Sequence, residues 1–205
     1  GIAHSGYMLI GLVTASAVAG TTDAAQSGVD AILFYLAAYG LMTLGAFALL
    51  LSLAGEKEIA TVDDLAGLGH AKPLSAAILA LFLISMIGLP LTAGFVGKMQ
   101  LFAGAVALEG PPGARNLYLG LVAVAALNAA IAAVYYLRIV GVMYQRETLA
   151  GSTPNRAPVP FAAAVVCAVG TIAFGVYPMP LAKFAREAAP LAAPAPTPAP
   201  VADAR

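Results

Sequence analysis

The chain of 205 residues is 61% hydrophobic and only 10% charged, with a mean hydropathy of +0.90. A soluble domain carries about 25% charged residues, so water alone could not solvate this surface, which excludes a soluble enzyme and points to an all-α polytopic membrane protein. Ten basic against ten acidic residues leave no net charge and no basic face for nucleic acid, and the single Cys167 can neither close a disulfide within the chain nor build a metal or iron–sulfur site by itself.

The chain opens Gly1-Ile2-Ala3-His4-Ser5-Gly6, with no initiator Met and no charged region ahead of an apolar core. It is therefore read as a cut through a longer protein that enters at a transmembrane helix, and not as a signal peptide. A crossing needs about 20 apolar residues to span a hydrocarbon core of roughly 30 Å. Six segments meet or approach that length: 2–19, 31–53, 73–88, 91–108, 117–144 and 159–176. Polar or turn-rich connections separate them, and every acidic side chain lies in these connections or near the chain ends. About six transmembrane helices are expected, forming one bundle over residues 1–180. Residues 188–205 repeat Ala-Pro, favour extended polyproline conformations, and are expected to be a disordered tail.

The third and fourth segments are interrupted by Gly88-Leu89-Pro90-Leu91-Thr92-Ala93-Gly94. Pro90 removes a backbone donor and the glycines permit unwinding. Two readings stand side by side: a tight hairpin between two helices, or one helix broken near Pro90, the pattern found at transport sites. With six crossings, Lys57, Lys72, Arg115, Lys183 and Arg186 fall on one side, with Arg146 and Arg156 on the other.

Lys98 is the outstanding chemical candidate. It lies eight residues past Pro90, roughly 12 Å further along a helix and too deep for comfortable snorkelling. An intramembrane lysine is costly and marks a functional site by default. Because burial penalises its charged form, Lys98 is a candidate to load and release a proton. His4 borders a span, and imidazole chemistry suits a proton relay. Arg138 is about 21 residues along its helix, flanked by Tyr135, Tyr136 and Tyr144, and reads as an interfacial anchor. His70 reads as a solvated loop histidine. Ser5, Tyr7, Thr14, Tyr39, Thr43, Ser85, Thr92, Gln100 and Asn128 could line a hydrated path, although interhelical hydrogen bonding is the better reading for each taken singly. The sequence carries no phosphate loop, dinucleotide fingerprint, metal-ligand spacing or nucleophile–base pair. It also has no carboxylate able to face Lys98 at membrane depth, so a partner acid is expected outside these residues.

Several stretches together are more specific than any one of these features. They are Ile2-Ala3-His4-Ser5-Gly6-Tyr7, Phe34-Tyr35-Leu36-Ala37-Ala38-Tyr39, Leu44-Gly45-Ala46-Phe47, Asp64-Leu65-Ala66-Gly67-Leu68-Gly69, Tyr135-Tyr136-Leu137-Arg138 and, above all, Gly94-Phe95-Val96-Gly97-Lys98. Over residues 1 to about 180 the chain resembles the antiporter-like proton-pumping membrane subunits of respiratory complex I. The resemblance implies a fold of two inverted helical repeats, of which this chain would supply the second repeat and the last helix. It also implies that Lys98 matches the key lysine of the broken helix. A lysine at that position, with no histidine in 31–53, favours one branch of the family over its two sisters.

The activity implied is proton translocation coupled to electron transfer from NADH to quinone in a bacterial inner membrane. No redox chemistry resides in this chain. It is expected to bind no cofactor itself, with NADH, FMN, iron–sulfur clusters and quinone held by other subunits. Its expected partners are other membrane subunits and the lipid bilayer. The alternatives are a subunit of a multi-subunit sodium/proton antiporter or membrane hydrogenase, and a non-pumping scaffold.

Overall fold

A computed structural model describes residues 1–17, 22–54, 59–108, 114–147 and 157–192, and the described residues contain helices but no strand. The helices are α1 (Ile2–Ala17), α2 (Thr22–Ala54), α3 (Leu68–Ala71), α4 (Pro73–Ile87), α5 (Ala93–Val106), α6 (Ala114–Gln145), α7 (Pro158–Val176) and α8 (Met179–Ala192), with a 3₁₀ turn at Val62–Leu65. Within the described residues each of the six apolar segments carries a helix. Pro73 and Pro158 open α4 and α7 in the first turn, where a missing N–H costs nothing. The segment Gly28–Ala54 of α2, Arg115–Gln145 of α6, and α7 are each long and apolar enough to cross a membrane, while α1 and α4 are shorter apolar helices.

Helix α2 is the central mast, in contact with α1, α4, α5, α7 and α8. Met42, Leu49 and Leu53 on its second half pack with Leu79, Phe82 and Met86 of α4 and Ala164 of α7. On its first half, Ala31 and Tyr35 pack with Tyr7 and Ile10 of α1 and Leu101 of α5. Phe34 and Ala38 close on Ala93 of α5 and Ala185 of α8. The two halves of the mast thus serve different partners, and the change occurs near its middle.

This arrangement decides between the two readings of the interruption at Pro90. Along α4 and α5 the residues 82, 94, 97 and 101 meet α2 near Gly45, Met42, Tyr35 and Ile32 in turn. Both helices therefore run in the same direction, end to end and antiparallel to the mast. The segment is one broken helix, not a hairpin.

The side count drawn for six crossings changes accordingly. Arg146 at the end of α6 forms an ion pair with Asp63, and Tyr144 packs against Gly69, so Arg146 lies at the same end of the bundle as Lys72. The reason is that 73–88 and 91–108 traverse the bundle once between them. Lys57 and Arg156 lie outside the described residues.

A second broken path follows the same course. The Ala157 N–H donates to the Ser52 carbonyl at 3.2 Å, and the Ser52 hydroxyl returns a bond of 3.2 Å to the Ala157 carbonyl. Further along, Cys167 faces Gly45, Gly170 faces Leu41, and Arg186 lies 3.6 Å from Asp30. Helices α7 and α8 therefore also descend antiparallel to α2, with a break at Tyr177–Pro178. Sequence reading ended the bundle at 180 and began a tail at 188, but α8 reaches Ala192. Its alanines at 182, 185 and 189 provide a small-residue face that closes on the bundle, and this tertiary contact holds a helix that its prolines alone argue against. Residues 193–205 of the expected tail lie outside the described residues.

Candidate functional site

The break between α4 and α5 holds the buried lysine. Lys98 stands five residues into α5 and is 6% exposed. Its Nζ donates to the carbonyls of Met86 and Ile87, both at 2.8 Å. These carbonyls end α4, where the last four acceptors have no partner within the helix and carry the negative end of its dipole. The ammonium therefore caps α4 from across the break. On another side it faces the ring of Tyr7, 5.0 Å from the centroid, within cation–π range. Among the described residues no carboxylate pairs with Lys98. Among the described residues its surroundings supply dipoles and a π face, but no formal countercharge.

The backbone of the break is built for this contact. Gly88 is left-handed with φ +96°, a conformation that favours glycine, and a Cβ there would press on Lys98 Cδ at 3.2 Å. Leu91 is also left-handed at φ 70°, a conformation that costs a branched side chain about 1–3 kcal/mol. Its neighbours hold it there: the Thr92 hydroxyl donates to the Leu89 carbonyl at 2.7 Å, and Gly175 of α7 packs directly on the backbone of Leu91 and Thr92. Gly94 is pressed against the Ser85 carbonyl, and its N–H donates to the Ser85 hydroxyl at 3.3 Å.

His4 joins the same region from α1. It is 2% exposed and shares a hydrogen bond of 2.7 Å between Nδ1 and the Tyr35 hydroxyl of α2. Nε2 lies 3.4 Å from the Tyr136 hydroxyl of α6. A neutral imidazole has one donor and one acceptor nitrogen, so one tyrosine donates to it while the other accepts. Tyr39 stacks on His4 at 4.6 Å, and Tyr7 meets it edge-on at 5.7 Å. Tyr7 thus touches both His4 and Lys98, and its buried hydroxyl has no hydrogen-bond partner among the described residues. Four helices contribute to one cluster of two basic groups and four phenols.

The structure therefore brings His4 and Lys98 together, and it draws in Tyr7 and Tyr39 from the polar residues singled out in the sequence. Tyr35 and Tyr136 were missed as chemistry. Tyr136 reads as part of an interfacial belt beside Arg138, but it turns inward to His4. The available signal was spacing: Tyr35 and Tyr39 are i,i+4 on one helix face, and His4 and Tyr7 are i,i+3 on another. Other hydroxyls serve local backbone, as when Thr14 donates to the Ile10 carbonyl at 3.0 Å. His70 is exposed as expected, but it sits on the short helix α3 and not in a loop. Among the described residues no group of three or more His, Cys, Asp or Glu could hold a metal ion.

Comparison with known proteins places this geometry in context. Residues 1–115 match the family described as NADH:quinone oxidoreductase/Mrp antiporter, TM. The chain is 38% identical over 191 residues to NADH-quinone oxidoreductase subunit N 1 of Solibacter usitatus, a match that covers 92% of this chain and 36% of that protein. It is 40% identical over 184 residues to NADH-quinone oxidoreductase subunit N of Bdellovibrio bacteriovorus, covering 88% and 35%. The chain thus spans about a third of the length of the curated relatives it matches. Its structure is similar to a chain of respiratory complex I from Thermus thermophilus with bound aureothin, with a TM-score of 0.60 and 25% identity, over 86% of this chain and 43% of that one.

Proposed function

Because the chain belongs to the NADH:quinone oxidoreductase/Mrp antiporter transmembrane family, we propose that it forms the proton-translocating C-terminal part of a subunit N of a bacterial NADH-quinone oxidoreductase. Lys98 is the proton carrier and His4 the relay, in a multi-pass protein of the inner membrane. The observation that carries this reading is the buried ammonium held across a broken helix by two carbonyls, with no formal countercharge among the described residues.

Such a site is poised, because a charge arriving nearby changes the cost of keeping the proton. One unit charge 4 Å away at an effective dielectric of 20 contributes about 4 kcal/mol, comparable to the whole cost of a membrane lysine on insertion scales. The Tyr7 hydroxyl, with no hydrogen-bond partner among the described residues, is free to bond a water that leads from Lys98 toward the tyrosines around His4. His4 then passes a proton between Tyr35 and Tyr136 by exchanging which nitrogen donates. The acid that drives Lys98 lies outside these residues. NADH, FMN, iron–sulfur clusters and quinone belong to other subunits, and electron transfer there supplies the energy.

The family also includes antiporters, so the partner complex is the deciding observation. Affinity purification of the protein from its native membrane should recover an NADH-oxidising iron–sulfur flavoprotein. Recovery of a flavin-free, iron-free assembly would assign it to a sodium/proton antiporter instead, and an iron–sulfur assembly that evolves hydrogen to a membrane hydrogenase.

A further inference from the structure

The two broken paths meet at their breaks. Helix α7 ends at Val176, Tyr177 leaves the helix at φ −128° and ψ 80°, and α8 restarts at Met179. Ala164, Ala168 and Thr171 are the buried residues of α7, at steps of four and three, and Gly175 continues their face by four more. Gly175 is not a turn glycine. Unlike Gly67 and Gly88 it has no positive φ, so its backbone suits any residue. Contact is what requires glycine there. A Cβ at Gly175 would fall 2.5 Å from the Thr92 carbonyl carbon, and nearer still to Thr92 Cα and the Leu91 carbonyl oxygen. All three obstacles are backbone.

The peptide that Gly175 touches is the origin of α5. The Thr92 carbonyl accepts from the Phe95 and Val96 N–H groups at 3.1 and 3.3 Å, the first bonds of that helix. The next turn is held from the same quarter: Ala93 and Val96 pack in one cluster with Phe174 of α7 and with Ala182 and Ala185 of α8. On the α4 side, Gly94 rests on Ser85. The start of α5 is thus seated between α4 and the second broken path. Lys98 lies six residues, about 9 Å, further along this helix, and its ammonium reaches back across the break to two carbonyls of α4. Displacing Leu91 and Thr92 therefore moves the root of Lys98 relative to both acceptors.

We propose that Gly175 is a positioning residue for Lys98: by seating the left-handed Leu91 and the first peptide of α5 against α7, it keeps the ammonium on the Met86 and Ile87 carbonyls. The second broken path thereby acts on the lysine through backbone contacts, and a shift of α7 and α8 would be felt at the ammonium. The consequence for pumping rests on Lys98 as proton carrier, whereas the positioning itself does not.

The test compares Gly175→Ala with Gly170→Ala in the assembled, purified complex. At Gly170 an added Cβ meets only side chains, at 3.4 Å or more, so that variant is the control. The direct readout is acetylation of Lys98 by acetic anhydride, a small apolar reagent, followed by mass spectrometry with the exposed Lys183 as internal reference. Freeing the amine from one charged hydrogen bond should speed its acetylation in Gly175→Ala at least about tenfold, with Lys183 and the control unchanged. Proton uptake per NADH in vesicles should fall at the same time. Leu91→Gly, which makes the left-handed turn independent of its support, should restore slow acetylation in the Gly175→Ala background. If Gly175→Ala alone does not assemble, the double variant should assemble and keep Lys98 slow to react. Faster acetylation with an unchanged proton ratio would uphold the positioning and remove the proton from Lys98. Unchanged acetylation in assembled Gly175→Ala, or no recovery with Leu91→Gly, would overturn the proposal and reduce Gly175 to a packing residue.

Discussion

Gly94→Ala tests whether the two halves of the broken helix must touch for the lysine to be held. The added Cβ would collide with the Ser85 carbonyl oxygen, and it would also lie 2.9 Å from the Ser85 carbonyl carbon and 3.0 Å from Met42 Sδ. The first obstacles are backbone and cannot rotate away, so α5 must move off α4. Overpacking of this kind costs about 1–3 kcal/mol, and losing the 3.3 Å bond from the Gly94 N–H to Ser85 adds about 0.5–1.5 kcal/mol. Alanine returns about 0.5–1 kcal/mol through its better helix propensity, leaving a net loss of about 0.5–4 kcal/mol. Since Met86 and Ile87 follow Ser85 directly, the same movement withdraws both acceptors from Lys98. The matched control is Gly40→Ala on the mast, where an added Cβ meets nothing within 4 Å and propensity alone should act. Thermal dissociation of the purified complex and proton uptake per NADH in vesicles are measured for both variants. Gly94→Ala should fail on both measures while Gly40→Ala matches or exceeds the wild type. Equal behaviour of the two would refute the packing account of the break.

Two further outcomes follow from the same geometry. In a Cys167→Ser background, cysteines at Val62 and Arg146 should be labelled by an impermeant reagent from one side of the membrane, and cysteines at Arg115 and Lys183 from the other; labelling of Val62 and Arg146 from opposite sides would restore the hairpin. His4→Phe strands the buried Tyr35 hydroxyl and should cost about 1–3 kcal/mol of stability along with proton transfer. Adding Tyr35→Phe should recover stability but not pumping, whereas recovery of both would reduce His4 to a packing residue.

The six apolar segments were legible because a membrane helix is written in uninterrupted hydrophobic length, and Lys98 was legible because a charge inside such a length is costly. The choice between hairpin and broken helix was not, since Gly88 and Pro90 stop a helix equally well in either case. Only the order of contacts along α2, from Gly45 at Phe82 to Ile32 near Leu101, shows the direction of α5. Helix α8 escaped notice because prolines at 180 and 190 outweigh alanines in propensity, while its stability comes from packing. Tyr136 was misplaced for a related reason: neighbouring tyrosines on a helix point about 100° apart, so Tyr135 faces outward while Tyr136 reaches His4. The carbonyls that hold Lys98 have no sequence signature, because any residue supplies them.

Lys98 caps α4 as well as being the proposed proton carrier, and one comparison separates these roles. Lys98→Arg keeps a cation able to reach the Met86 and Ile87 carbonyls, but arginine does not give up its proton. Proton uptake per NADH oxidised, in vesicles containing equal amounts of assembled complex, is the direct measurement. Lys98→Ala and Lys98→Arg should both impair pumping, and tightly coupled electron transfer should slow with it. A normal ratio at normal turnover in the arginine variant would show that Lys98 holds the break together and carries no proton.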